Sequence, residues 1–181
     1  MTTSSPDGLF PAVFFDRDGT IMRDVEYCRA PTEVEVFLDA PEALRRLKEA
    51  GFKLVIVTNQ SGIARGYFSE LDYRAIEQEV ERQLGPGLID ATYFCPDLPD
   101  SGSMRRKPEA GMVLEAQRDH QIDLGRSFFV GDKAIDVECG QRAGMRTIIV
   151  ATGLEEPVRT AGDWTANNLL EAAEIILRHA V

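Results

Sequence analysis

Two carboxylates stand two residues apart where an apolar segment stops. Pro11–Phe15 (PAVFF) runs directly into Asp16-Arg17-Asp18-Gly19-Thr20. Carboxylates at the end of a buried strand are costly unless something pairs with them, and a divalent cation is one such partner. An Asp-Gly turn accounts for Asp18-Gly19, but Asp16 still belongs to the apolar strand. A second apolar segment, Lys53–Thr58, leads into Thr58-Asn59-Gln60-Ser61-Gly62, whose hydroxyls, amides and glycine-containing turn can donate to an anion. A third segment, Ala91–Phe94, is followed by Arg105-Arg106-Lys107-Pro108, with Pro108 expected to open a helix. A fourth ends in Gly131-Asp132-Lys133, with Asp136 one turn into the next expected helix. Taken singly, each has an ordinary explanation: a turn, a plain loop, a solvated basic face, a helix N-cap. Together, Asp16, Asp18, Thr58, Lys107 and Asp132 map to one edge of one sheet, with acids for a hard cation and Thr and Lys for phosphate oxygens.

The elements that must hold these residues alternate along the chain. Continuous apolar runs at Pro11–Phe15, Lys53–Thr58, Ala91–Phe94, Ser127–Gly131 and Met145–Val150 suit strands buried on both faces of a parallel sheet. Helical patterns lie between and after them. Pro41–Ala50 sets Ala43, Leu44, Leu47 and Ala50 on one face, and Glu70–Leu84 does the same with Ile76 and Val80. Glu109–His120, Ile135–Ala143 and Leu169–His179 follow. Strand and helix in alternation predict right-handed crossovers and a doubly wound α/β sheet, in which ligands sit beyond the carboxyl ends of the strands.

The chain has 181 residues, a length for one domain, expected over residues 11–181 after a disordered lead-in at residues 1–10. No apolar run approaches the roughly 20 residues that cross a bilayer, and the N-terminus lacks the pattern of a secretory signal. Cys28, Cys95 and Cys139 form no CxxC pair, which fits a reducing, cytoplasmic setting. A net charge of -10 opposes a nucleic-acid partner but permits a small anionic substrate at a local positive site. A monomer or weak oligomer is expected.

The motifs FFDRDGT, VTNQSG, RRKP and VGDKAID, in that order from Phe14 to Asp136, resemble the four signatures of the haloacid dehalogenase-like phosphatases. FFDRDGTIMRDVEY and VTNQSGIARGYF are similar to the branch that holds heptose bisphosphate and histidinol-phosphate phosphatases. The resemblance implies a Rossmann-like sheet in the order 3-2-1-4-5 and hydrolysis of a phosphomonoester through an aspartyl phosphate. It implies Asp16 as nucleophile and Asp18 as general acid and base. Thr58 and Lys107 would bind the phosphoryl group. Mg²⁺ would be held by Asp16, Asp132 and the Asp18 backbone carbonyl, and Asp136 would support Lys107 or the metal shell. Asp24, Tyr27, Asn59, Gln60, Ser61, Arg106 and Lys133 fall where that branch meets substrate. The branch often carries a zinc loop before the RKP motif; here CPDLPDSGSMRRKP has Cys95 alone and no histidine, so no zinc is expected. The spacing also leaves no room for a large cap domain.

Three other activities compete. Histidinol phosphate is the alternative substrate within the class, and Arg106 beside Lys107 favours a sugar bisphosphate such as heptose 1,7-bisphosphate. A receiver-like phospho-acceptor domain shares the acids, Thr and Lys, but needs no acid two residues past its acceptor. A nucleic-acid 3′-phosphatase shares the chemistry and is opposed by the charge.

Overall fold

The computed structural model describes residues 8–153 and 162–180. Six strands form one sheet: β1 Ala12–Phe15, β2 Lys53–Asn59, β3 Ala91–Cys95, β4 Phe128–Gly131, β5 Arg146–Val150 and β6 Trp164–Ala166. Five helices alternate with them: α1 Ala40–Glu49, α2 Glu70–Leu84, α3 Gly111–His120, α4 Ala134–Arg142 and α5 Leu169–His179. The strand order is β3-β2-β1-β4-β5-β6, and every neighbouring pair is parallel. The expected order is therefore correct, with β6 added beyond β5.

The apolar runs become strands because both faces of this sheet are covered. Side chains alternate along β1. Val13 and Phe15 enter a core with Leu44 and Leu47 of α1, Ile76 and Val80 of α2, and Ile176 of α5. Ala12 and Phe14 enter the opposite core with Met112 and Val113 of α3 and Cys139 of α4. Two packed cores on one sheet leave the carboxyl ends of β1, β2 and β4 as the free surface. Phe15, the last residue of β1, sits opposite Ile56 on one side and Val130 on the other, so β2 runs three residues and β4 one residue beyond it.

Some boundaries differ from the sequence reading. Ala50, placed on the buried face of α1, instead caps that helix and is exposed. Pro108 does not open α3; it follows a cis peptide after Lys107, and the helix starts at Gly111. Phe10 bridges Ile122, while residues 1–7 of the expected lead-in lie outside the described residues. Between β1 and α1, residues 16–39 hold only the short turn of helix Pro31–Glu33, so no large cap stands over the strand ends there.

Candidate active site

Asp16 leaves β1 with its backbone N–H bonded to the carbonyl of Val130 in β4. Its side chain is buried, and Oδ1 accepts from Lys107 Nζ at 2.7 Å. Lys107 also donates to Asp136 Oδ1 at 2.7 Å, and its ammonium is buried. Asn59 fixes the backbone that carries this lysine. Its Nδ2 donates to the Lys107 carbonyl at 3.1 Å, and its Oδ1 accepts from the Lys107 N–H at 3.0 Å. An amide paired in both directions with the backbone of one residue is a rigid clamp, so the expected basic cluster is positioned by β2 rather than by a helix N-terminus. Asp136 meets Lys107 through Oδ1, and its Oδ2 accepts from the Lys133 N–H at 3.1 Å at the start of α4.

Asp132 follows β4. Thr20 Oγ1 donates to its Oδ1 at 3.1 Å, while its Oδ2 is buried and has no hydrogen-bond partner. Backbone crowds around this carboxylate at two glycines. A Cβ on Gly19 would stand 2.4 Å from Asp132 Oδ2, and one on Gly153 would stand 2.1 Å away. Gly19 also has a φ of 83°, which a side chain would strain.

Oxygen atoms of Asp16, Asp132 and Asp136 lie within 4.8 Å of one another, all three residues buried. Burial, then Asp16 and Asp136, push the Asp132 carboxyl up to about 8. Burial also pushes Asp16 up, opposed by Lys107 and helped by Asp136. Three buried carboxylates sharing one buried ammonium are under-compensated, and an orphaned carboxylate oxygen sits among them. An all-oxygen donor set suits a hard cation, so these residues fit Mg²⁺. Both Asp136 oxygens accept hydrogen bonds, whereas Asp16 accepts through Oδ1 and Asp132 through Oδ1 alone.

Asp18 is not part of this cluster. Arg17 meets it through Nε at 3.2 Å and Nη2 at 3.0 Å, and Gln60 Nε2 donates to its Oδ2 at 2.8 Å. Its carboxylate lines a small cavity of about 90 Å³ together with Asp16, Asn59, Lys107 and Lys133. That cavity opens into a cleft of about 570 Å³, whose walls include Asp24, Tyr27, Gln60, Ser61, Arg106 and Lys133. A phosphoryl group suits the inner space and the rest of a substrate the outer one.

The structure thus gathers all the expected site residues, with different employment for some. Thr58 is buried, and its Oγ1 accepts from Gln60 Nε2 at 2.8 Å. Asp24 accepts from Lys133 Nζ at 3.1 Å and from the Glu26 N–H at 2.8 Å, where Glu26 has a φ of 64°. Arg106 donates to the Asp97 carbonyl at 2.9 Å and forms no ion pair among the described residues. Thr20, Gly153 and Thr152, whose Oγ1 donates to the Gly19 carbonyl at 2.7 Å, escaped the sequence reading. The signal for the last two was present, since Ala151-Thr152-Gly153 follows β5 at the same sheet edge.

No thiol competes for the chemistry. Burial pushes Cys28 up to about 11 and Cys139 up to about 12, and raises Cys95, whose Sγ bonds Asp97 Oδ2 at 3.4 Å.

Comparison with known proteins gives the same picture. The HAD-hydrolase-like family model matches residues 104–172. The D-glycero-D-manno-heptose-1,7-bisphosphate 7-phosphatase of Thermosynechococcus vestitus is 36% identical over 93% of this chain and 96% of its own length. The corresponding D-glycero-beta-D-manno-heptose-1,7-bisphosphate 7-phosphatase of Escherichia coli K12 is 37% identical, over 92% and 93%. Among solved structures, the D,D-heptose 1,7-bisphosphate phosphatase from B. bronchiseptica, complexed with magnesium and phosphate, superposes with a TM-score of 0.83 at 31% identity, covering 94% of this chain and 99% of that one.

Proposed function

Because this chain belongs to the haloacid dehalogenase-like phosphatases, we propose that it hydrolyses the 7-phosphate of D-glycero-D-manno-heptose 1,7-bisphosphate through an aspartyl phosphate on Asp16. The observation that carries the reading is the buried pair of Asp16 and Lys107 lining the inner cavity with Asp18, backed by the buried Asp132 next to Asp16.

The chemistry follows from what each group can do. Asp16 Oδ1 is held by Lys107, which leaves Oδ2 to attack phosphorus. As that P–O bond forms, the ester P–O bond breaks, and Asp18 gives its proton to the departing alkoxide. A water then attacks the acyl phosphate, Asp18 takes the water's proton, and inorganic phosphate leaves with Asp16 restored. Lys107 and the Thr58 hydroxyl meet the phosphoryl oxygens. Asp16, Asp132 and the Asp18 carbonyl would hold Mg²⁺, which supplies positive charge opposite the phosphoryl oxygens when bound.

Arg106 favours a bisphosphate. Braced by the Asp97 carbonyl and free of any ion pair among the described residues, it stands on the cleft wall, where a guanidinium can clamp a second phosphate. Histidinol phosphate is the second reading, supported by Asp24 and Glu26 on the same wall, which suit a cationic amine. We place no zinc in the loop after β3: the single thiol there, Cys95, bonds Asp97 and Ser103, and a closed site needs four ligands. The acidic surface supports a small ester over a nucleic acid, and among the described residues no helix is long and apolar enough to cross a membrane.

The test is phosphate release by the Mg²⁺-loaded protein from heptose 1,7-bisphosphate and from histidinol phosphate. Faster turnover of the bisphosphate supports the reading. A preference for histidinol phosphate overturns the substrate, and inertness toward both overturns the activity.

A further inference from the structure

Gln60 is 5% exposed and touches two groups of different function. Its Nε2 donates to Asp18 Oδ2 at 2.8 Å and to Thr58 Oγ1 at 2.8 Å. A primary amide nitrogen carries two hydrogens, so both are spent. The backbone N–H of Gln60 is bonded to the Cys95 carbonyl at 2.7 Å, which fixes the start of the loop after β2 against the end of β3. We propose that Gln60 is a positioning residue that orients the Thr58 hydroxyl toward the transferred phosphoryl group and ties that hydroxyl to the acid Asp18. The proposal rests on the phosphatase reading above.

A threonine hydroxyl has one proton and two lone pairs. Because Thr58 Oγ1 accepts from Gln60, its proton is left without a use, and among the described residues it has no acceptor. A phosphoryl oxygen in the small cavity is the acceptor that completes the set. The amide could reverse this only by turning its oxygen toward Asp18. That carboxylate would then face another acceptor, while Arg17 holds it from the far side through Nε at 3.2 Å and Nη2 at 3.0 Å. The Asp18 carboxylate therefore fixes which end of Gln60 faces inward, and Gln60 fixes which way the Thr58 proton points. An unoriented hydroxyl would have to be turned at each binding event; this one is set in advance.

Gln60→Glu keeps the size of the side chain and removes both N–H donors, and Gln60→Leu removes all polarity. Each is made alone and with Thr58→Val, and kcat and KM of the Mg²⁺-loaded enzymes are measured on an aryl phosphate and on an alkyl sugar phosphate. On the aryl ester, either single variant should lose about tenfold in kcat/KM, the worth of one hydrogen bond to a charged group. In the Thr58→Val background that loss should vanish, because the hydroxyl through which Gln60 acts is gone. The sugar phosphate should lose more in kcat than the aryl ester, because Asp18 is released as well. A loss that persists at full size with Thr58→Val, or no loss in either variant, overturns the proposal. Should Gln60→Leu fail to fold, the Gln60→Glu pair decides by the same comparison. Wild-type enzyme inert toward both esters would refute the phosphatase reading itself and take the proposal with it, a failure distinct from a wild-type that works and a cycle that does not close.

Discussion

The proposed reaction rests on a few atoms of the buried pair Asp16 and Lys107, so single substitutions should have sharp consequences. Asp16→Asn should keep the fold and lower turnover by roughly 10⁴-fold, because an amide cannot form the acyl phosphate; released phosphate, with circular dichroism as control, measures it. Arg106→Ala should lower kcat/KM about tenfold on heptose 1,7-bisphosphate and little on the matching monophosphate, as expected if the guanidinium holds the distal phosphate. Equal losses on the two esters would reject that role and return histidinol phosphate to equal standing. Residues such as Asp16, Thr58 and Asp132 were legible in the sequence because each is a polar side chain closing an apolar run. The bond made by Thr20 and the clamp made by Asn59 were not, because each depends on a partner 48 or more positions away. A threonine or glycine in a loop has no local mark that says which carboxylate it will face.

At the scale of elements, the apolar runs gave β1 to β5 because a strand buried on both faces needs them. Strand β6 was missed because Trp164-Thr165-Ala166 is three residues long and adds to an edge, where no continuous run is required. The start of α3 was misjudged because proline is favoured at a first helical position and equally in a turn before one. One joint between elements makes a stability prediction. Asp90 Oδ2 accepts from Lys48 Nζ of α1 at 2.6 Å and from the Leu54 N–H of β2 at 2.8 Å, just before β3. Burial pulls this carboxyl up, but the Lys48 and Leu54 hydrogen bonds outweigh it and hold it below the usual carboxylate range. A carboxyl lowered on folding stabilises above its unfolded pKa and loses that contribution as pH falls through its folded value. Asp90→Asn should therefore cost about 1–2 kcal/mol at pH 7. The difference from wild type should shrink below about pH 4 in urea titrations. A gap that stayed constant from pH 7 to pH 3 would remove the charge from the explanation.

Taken as a whole, the molecule trades stability for function at the edge of its sheet. Three carboxylates gathered there repel one another, and the cost should be visible without any substrate. In EDTA at pH 8, Asp132→Asn should melt about 2–5 °C above wild type, because it removes a charge that burial and its neighbours oppose. Mg²⁺ should raise the wild-type melting temperature and leave the variant nearly unmoved. A variant that melts lower than wild type in EDTA would show that Asp132 is mainly a structural bond to Thr20.

The strand order has a consequence for biosynthesis. The proposed nucleophile is at position 16, its lysine is 91 positions further on, and the glycine that packs against Asp132 is at position 153. A ribosome therefore releases Asp16 first and the last wall of its site more than a hundred residues later. Until β4 has emerged and slotted in beside β1, Asp16 has neither its Val130 backbone partner nor Asp132 beside it. Nascent chains halted before residue 128 should bind no phosphate and turn over no ester, however well β1 and β2 have paired. Activity should arrive in one step late in translation, which arrested chains of graded length would reveal.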